Sequence, residues 1–315
     1  MTIAKATIFK LAAILPAVFF AMGQAATADC AGLLAEFNSA FANHSLSDAK
    51  AIEDKVAVSG DCGEDRVNEV KRQRAVLEVA LVQQLVEKKA PTSEYEGLLL
   101  DASNMLWRAA FALGDIKFSQ RKFAEATTYY ERAIETMKNI GLTPTAPDKK
   151  SIDAVFDRAV KARSLAANEE STGATFVSVA KDHRDGTVGG MMSPVVRDIK
   201  VNSVAMPIQF ETATAKFSPI GEKYAKEFLD AVRQQNPSQL TLIGHTDERG
   251  AADYNMRLSE QRVKAVADYL RQNGVTAKIN TMAKGKSEPL QLGDVPDLKQ
   301  EDIWALNRRV VWQRN

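Results

Sequence analysis

The residues of this chain best suited to chemistry lie in IGHTDERGAADYNMRLSEQR, positions 243 to 262, which reads as a strand end, a polar turn and the first turns of a helix. At about 100° per residue, with Asn255 set at zero, Leu258, Val263, Val266, Tyr269 and Leu270 fall in one arc, the buried stripe. Arg262 lies inside that arc, about 20° from Asn255, with Ser259 beside them. A guanidinium among core residues with no acceptor costs several kcal/mol, so Arg262 needs a carboxylate, and Asp247 at the end of the preceding strand is the candidate within reach. Two roles fit. The pair is an internal bridge that fixes the strand-to-helix corner, with Asn255 as a turn or capping residue. Alternatively it opens onto a crevice at the carboxyl end of a strand, where α/β folds bind ligands. In the second role Asp247 supplies acceptors, Arg262 a rigid fork of donors, and the helix N-terminus amides that favour anions. Such a site complements a zwitterion, a carboxylate and an ammonium on one carbon, and it requires no nucleophile.

Catalytic constellations are hard to assemble elsewhere. The three histidines, His44, His183 and His245, are scattered over the chain. None has a second His or Cys near enough for a metal site, so no metal and no cofactor are expected. There is no GxSxG motif and no activated cysteine, and His245 reads as a strand residue that fixes the loop. The expected set of catalytic residues is therefore empty. A cell-wall hydrolase using His245 and Asp247 is the competing reading.

The elements that must position Asp247 and Arg262 alternate from about Val201 onward. AMPIQFE reads as a strand, and Ser218-Pro219 as an N-cap with proline at the first helical position of a helix through Gln235. QLTLIGHT is a strand, the helix from Ala252 ends at Asn273-Gly274, AKINTMAK is a strand, LKQEDIWAL a short helix and RRVVWQ the last strand. Helices on one face of a mixed four-stranded sheet follow, a two-layer α/β domain over residues 201–315. Arg308 and Arg309, placed on that last strand, alternate faces, so only one can point inward. The segment QLGDVPDLKQEDIWAL is long enough to reshape the rim of any crevice.

Residues 29–167 carry helical periods throughout, as in VNEVKRQRAVLEVALVQQLVEKK and LLLDASNMLWRAAFALGD, with Pro91, Gly114, Gly141 and TPTAPD as punctuation. The segment AFALGDIKFSQRKFAEATTYYERAIE resembles one tetratricopeptide repeat: Leu113-Gly114, Ala126, Tyr130 and Ala133 fall where two helices pack closely. Lys117 stands where that repeat usually has an aromatic, with Phe118 one place later, and the closing proline is missing. One repeat cannot bury its own face, so the flanking helices are expected to act as degenerate repeats or caps; a plain helical bundle is the alternative. Residues 168–200, rich in Gly, Ser, Thr and charge, read as a linker with a short strand at TFVSVA. The fold class is thus a multidomain α+β chain, an all-α TPR-like part followed by the α/β domain.

Residues 205–314 resemble the OmpA-like peptidoglycan-binding domain. Gly244-His245-Thr246-Asp247-x-x-Gly250, Asn255-x-x-Leu258-Ser259-x-x-Arg262, Gly285-x-Ser287-x-Pro289 and Asn307-Arg308-Arg309-Val310 stand in the family's order. The resemblance implies that peptidoglycan is the partner and that Asp247 and Arg262 hold the free amino-acid end of its diaminopimelate. It places Thr246, Asn255 and Leu258 at the crevice and Glu211-Thr212 at the start of the ligand loop, where the family more often has Asp. A stator-like anchor, a role some relatives of this domain take, requires a membrane span with an ionisable residue.

The N-terminus has the form of an export signal. Lys5 and Lys10 precede the apolar residues 11–22, and Ala26-Thr27-Ala28 forms an A-x-A site before Asp29, so residues 1–28 read as a signal peptide. The apolar run holds Pro16 and is too short for roughly 30 Å of hydrocarbon, so no membrane span is expected after cleavage. Asp29 before Cys30 is wrong for lipid attachment. Export leads Cys30 and Cys62 to be read as a disulfide, which removes roughly 3–4 kcal/mol of unfolded-chain entropy by the loop-length relation. With 41 basic and 40 acidic side chains, no nucleic-acid partner is indicated. The expected location is the periplasm of a Gram-negative bacterium, associated with the cell wall near the outer membrane, with a protein partner on the helical repeats.

Overall fold

The computed structural model describes residues 28–171, 192, 195–201, 203–292 and 298–314. The expected signal segment up to residue 27, the strand expected at TFVSVA and His183 lie outside them. Two compact units are formed, one from Met1–Ile116 with Arg132–Pro147, the other from Lys117–Glu131 with Asp148–Asn315.

The first unit is helical. Helices α1 (Ala28–Ala42), α2 (Leu46–Val58) and α3 (Glu64–Glu87) gather Phe37, Ala49, Ile52, Val56, Val70 and Leu77 into one apolar cluster. Helix α2 starts at Ser45, whose hydroxyl accepts from the Asp48 amide. Cys30 and Cys62 are joined in a disulfide that ties α1 to the turn before α3. Glu78 on α3 is fully buried and its charge is matched by Lys50, at 2.9 Å, and by Arg74, which also holds Glu53 at 2.7 Å. Beyond α4 (Glu96–Ala102) lie α5 (Trp107–Ser119) and α6 (Phe123–Lys138), which run from this unit into the other. LLLDASNMLWRAAFALGD is thus broken between Ala102 and Trp107 rather than continuous. Gly114, expected to punctuate, sits inside α5, where small size rather than chain reversal is its contribution. Leu113, Ala126, Tyr130 and Ala133 are all buried, as is Lys117.

In the second unit, α7 (Lys149–Ser171) precedes the sheet domain and extends into residues expected to be linker. A two-stranded antiparallel pair, β1 (Val195–Val196) and β2 (Ile199–Lys200), follows. The four-stranded sheet has the order β3-β6-β4-β5, formed by β3 (Ser203–Met206), β4 (Gln239–His245), β5 (Lys278–Gly285) and β6 (Val310–Gln313). β6 is antiparallel to β3 and β4, while β4 and β5 run parallel, with Leu242 opposite both Trp312 and Thr281. Two helices connect these strands, α8 (Pro219–Gln235), which opens at Ser218-Pro219 as read, and α9 (Ala252–Gln272). The short helix α10 (Gln300–Asn307) leads into β6. Phe228 of α8 and Trp312 of β6 are fully buried, with ring centroids 5.4 Å apart.

Two expectations for this unit need correction. AMPIQFE is strand only to Met206. After it the chain leaves the sheet, and Phe210 returns to pair with Phe217 across a tight loop. Arg308 and Arg309 precede β6 rather than lying on it, so strand alternation is not what separates them.

Candidate functional site

β4 and α9 meet at a corner that only particular residues permit. A methyl group on Gly244 would stand 2.6 Å from the Ser259 carbonyl oxygen, so strand and helix approach more closely than any side chain allows. Gly285 sits at φ +49°, and a methyl group there would stand 3.0 Å from the Met256 amide nitrogen and 3.1 Å from the Asn255 carbonyl carbon. Ser259, with no exposed surface, accepts from the Gly285 amide at 3.0 Å and donates to the Met256 carbonyl at 2.9 Å. The Thr246 amide donates to the Gly285 carbonyl at 2.9 Å, and the Asn255 side-chain amide to the Arg249 carbonyl at 2.7 Å. Asn255 therefore does hold the turn, as the corner-fixing role requires. It also lines a cavity.

That cavity, about 650 Å³, opens where β4 ends. Asp247, Asn255, Leu258 and Arg262 line it from the corner, with Thr246 and Thr212 beside them. Glu211 does not line it; its carboxylate is exposed and pairs with Lys216 at 2.6 Å. The loop bearing Thr212 is anchored by its aromatic ends, since Phe217 stacks edge-on against Tyr269 of α9 with centroids 5.7 Å apart.

The expected bridge between Asp247 and Arg262 is not formed. Arg262 donates through Nε to the Thr214 carbonyl at 3.1 Å, and its guanidinium lies 5.0 Å from the centre of the Phe210 ring. Its two terminal nitrogens have no hydrogen-bond partner among the described residues. Asp247 is instead saturated by other donors. Arg249 reaches it through its backbone amide at 3.1 Å, Nε at 3.1 Å and Nη2 at 2.6 Å, and Arg308 adds Nη1 at 3.0 Å. The geometry explains the exchange: a side chain two residues on folds back over its own turn, whereas Arg262 starts nearly three helical turns down α9 and meets the 210–217 loop first.

Electrostatics follow from these contacts. Burial raises the Asp247 pKa, but the hydrogen bonds from Arg249 and Arg308 outweigh it, so the carboxyl is held below its ordinary range. Burial lowers the Arg262 pKa, and the nearby positive charge of Arg308 lowers it further. The cavity thus presents a carboxylate already answered and a buried guanidinium short of negative charge. Part of its remaining wall comes from the segment expected at the rim and part from a helix the sequence did not assign to it. Trp304 and Glu301 of α10 line it, as does Asn168 of α7, whose side-chain oxygen lies 3.4 Å from Arg308. Arg249 lies over the Trp304 ring at 4.3 Å, and the indole donates to Glu248 at 3.1 Å. The long segment before β6 does shape the rim, through α10. For Arg249 a signal existed, a donor two residues after an acid in a tight turn. For Asn168 the sequence offers none.

His245 lies outside the cavity lining. Burial lowers its pKa to about 4, helped by the Arg309 charge. Arg309 points toward this side, donating to the Glu288 carbonyl at 3.2 Å, while Arg308 turns to the cavity. Among the described residues no group of His, Cys, Asp and Glu is arranged to hold a metal ion, and no helix is long and apolar enough to cross a membrane.

Residues 209–302 match the OmpA family, so an OmpA domain occupies the C-terminal part of the chain. Similar proteins include the peptidoglycan-associated lipoprotein of Pseudomonas aeruginosa, 45% identical over 73 residues, which are 23% of this chain and 40% of that one. The peptidoglycan-associated lipoprotein of Pseudomonas putida is 42% identical over 76 residues, 24% of this chain and 43% of that one. The chain thus spans less than half the length of these two relatives. Among solved structures, the peptidoglycan-associated lipoprotein from Burkholderia pseudomallei is 27% identical, with 36% of this chain and 91% of that chain covered, at a TM-score of 0.28.

Proposed function

We propose that the chain binds peptidoglycan without covalent attachment, taking the free amino-acid end of diaminopimelate into the cavity between β4, α9 and α10. One observation carries this reading: the terminal nitrogens of Arg262 face a cavity with no acceptor of their own, a few side chains from the carboxylate of Asp247. The ligand carboxylate takes the Arg262 fork, the ligand ammonium goes to Asp247, and Asn255, Thr246, Thr212 and Leu258 shape the space around the shared carbon. The match to the OmpA family and the names of the similar peptidoglycan-associated lipoproteins support peptidoglycan as the partner. On this reading the protein is a binding module, not an enzyme. It works in the periplasm near the outer membrane of a Gram-negative cell, and its helical part offers a surface to a partner protein.

The test is co-sedimentation of the protein, expressed from Asp29 onward, with purified sacculi. Asp247→Ala and Arg262→Ala are expected to leave it in the supernatant while its circular dichroism is unchanged. Co-sedimentation of both variants at the level of the parent refutes the reading.

A further inference from the structure

Asp247 is saturated in the absence of ligand. A carboxylate offers about four acceptor directions. On Oδ1 they are filled by the Arg249 amide and Nε, and on Oδ2 by Arg249 Nη2 and Arg308 Nη1. An incoming ammonium reaches this carboxylate only by displacing one of them. The backbone amide is fixed by the turn. Arg308 is the less exposed of the two guanidiniums and has a second partner in Asn168. Arg249 is more than half exposed, at the end of a flexible side chain. Its guanidinium already rests over the Trp304 ring, and that ring is pinned by its own bond to Glu248, on an oxygen also held by Gln300 at 3.2 Å.

We propose that Arg249 is an internal competitor for the cavity's carboxylate: a stand-in for the ligand's ammonium that must be released from Asp247 before a zwitterion can seat. This rests on the reading given under Proposed function and adds a displacement step to it. A simple amine gains Asp247 but breaks the two side-chain contacts from Arg249, and no second contact offsets the loss. A zwitterion breaks the same contacts and in return places its carboxylate on Arg262, whose terminal nitrogens are otherwise without partners. A plain carboxylate uses Arg262 alone and leaves Arg249 where it is. The competition lowers the affinity of every ammonium-bearing ligand by the same factor, and the contact to Arg262 is what sets the zwitterion above the simple amine.

The experiment is calorimetric titration of the full chain from Asp29, and of its Arg249→Ala and Arg249→Gln variants, with three probes: meso-diaminopimelate, cadaverine (the diamine without carboxylates) and pimelate (the diacid without amines). Both variants are expected to bind diaminopimelate about twofold to fivefold tighter, the scale of one exposed ion pair, and to gain on cadaverine by a similar factor. Pimelate affinity stays level or falls. Binding of diaminopimelate by the parent chain, with equal or weaker binding by both variants, overturns the role of Arg249 and leaves the proposed ligand standing. Binding by neither parent nor variants overturns both.

Discussion

Replacing Arg262 by methionine distinguishes a ligand-binding guanidinium from one that merely fixes a corner. Methionine matches the arginine stem as far as about Nε and removes the charged group that lies over Phe210. The folded chain then loses one hydrogen bond from a charged donor, that to the Thr214 carbonyl, worth about 1.5–3 kcal/mol. Against this, the variant no longer buries a guanidinium that faces Arg308 and lacks a carboxylate, and such replacements in protein interiors are often neutral or stabilising by about 1–4 kcal/mol. The two effects offset each other to within about 2 kcal/mol, so the melting temperature should move by only a few degrees. Binding has no such offset. Loss of a forked guanidinium–carboxylate contact in a partly desolvated site costs about 2–4 kcal/mol, or roughly thirtyfold to a thousandfold in Kd. Differential scanning calorimetry and titration with meso-diaminopimelate on the same sample give both numbers. A variant that unfolds by more than about 4 kcal/mol, or that binds as tightly as its parent, would refute the reasoning.

Two further predictions concern the frame around the site. His245 is neutral in the folded chain down to about pH 4 but protonates near 6.5 when unfolded. Stability is therefore full above pH 6.5, is lost as pH falls toward 4, and levels off below, a change of at most about 3 kcal/mol. Urea unfolding followed by tryptophan fluorescence should show this slope, and His245→Gln should flatten it; a His245 ring resonance that titrates near 6.5 in the folded protein would contradict it. Gly244→Ala drives a methyl group against the Ser259 carbonyl and must push α9 from β4, at about 1–3 kcal/mol of stability. Because α9 carries Asn255 and Arg262, diaminopimelate binding measured by amide chemical shifts should weaken along with it.

Local chemistry made the order of elements readable. Ser218-Pro219 opens α8, Asn273-Gly274 closes α9, and Leu258, Val263, Val266 and Leu270 of the apolar arc are buried with Tyr269 half-buried at its edge, because capping and amphipathic spacing act over one or two turns of chain. Readings that needed a distant partner fared less well. Gly114 reads both as punctuation and as a close-packing position of the repeat, because nothing local distinguishes a glycine inside a helix from one at its end. AMPIQFE has strand composition to its last residue, but only β6 could decide that pairing stops at Met206.

The same division runs through the site. The sequence by itself determined that Asp247, Asn255 and Arg262 share one corner, since strand end, turn and helix period place them there whatever the rest of the chain does. Apart from the local pairing of Arg249 with Asp247, the charge partners are settled by contacts between separate elements. Arg249 and Arg308 take Asp247, the 210–217 loop offers Arg262 a carbonyl and a ring, and Asn168 and Trp304 close the cavity from helices remote in sequence. Charge pairing depends on distances of a few ångströms between separate segments, and no periodicity within a segment encodes those.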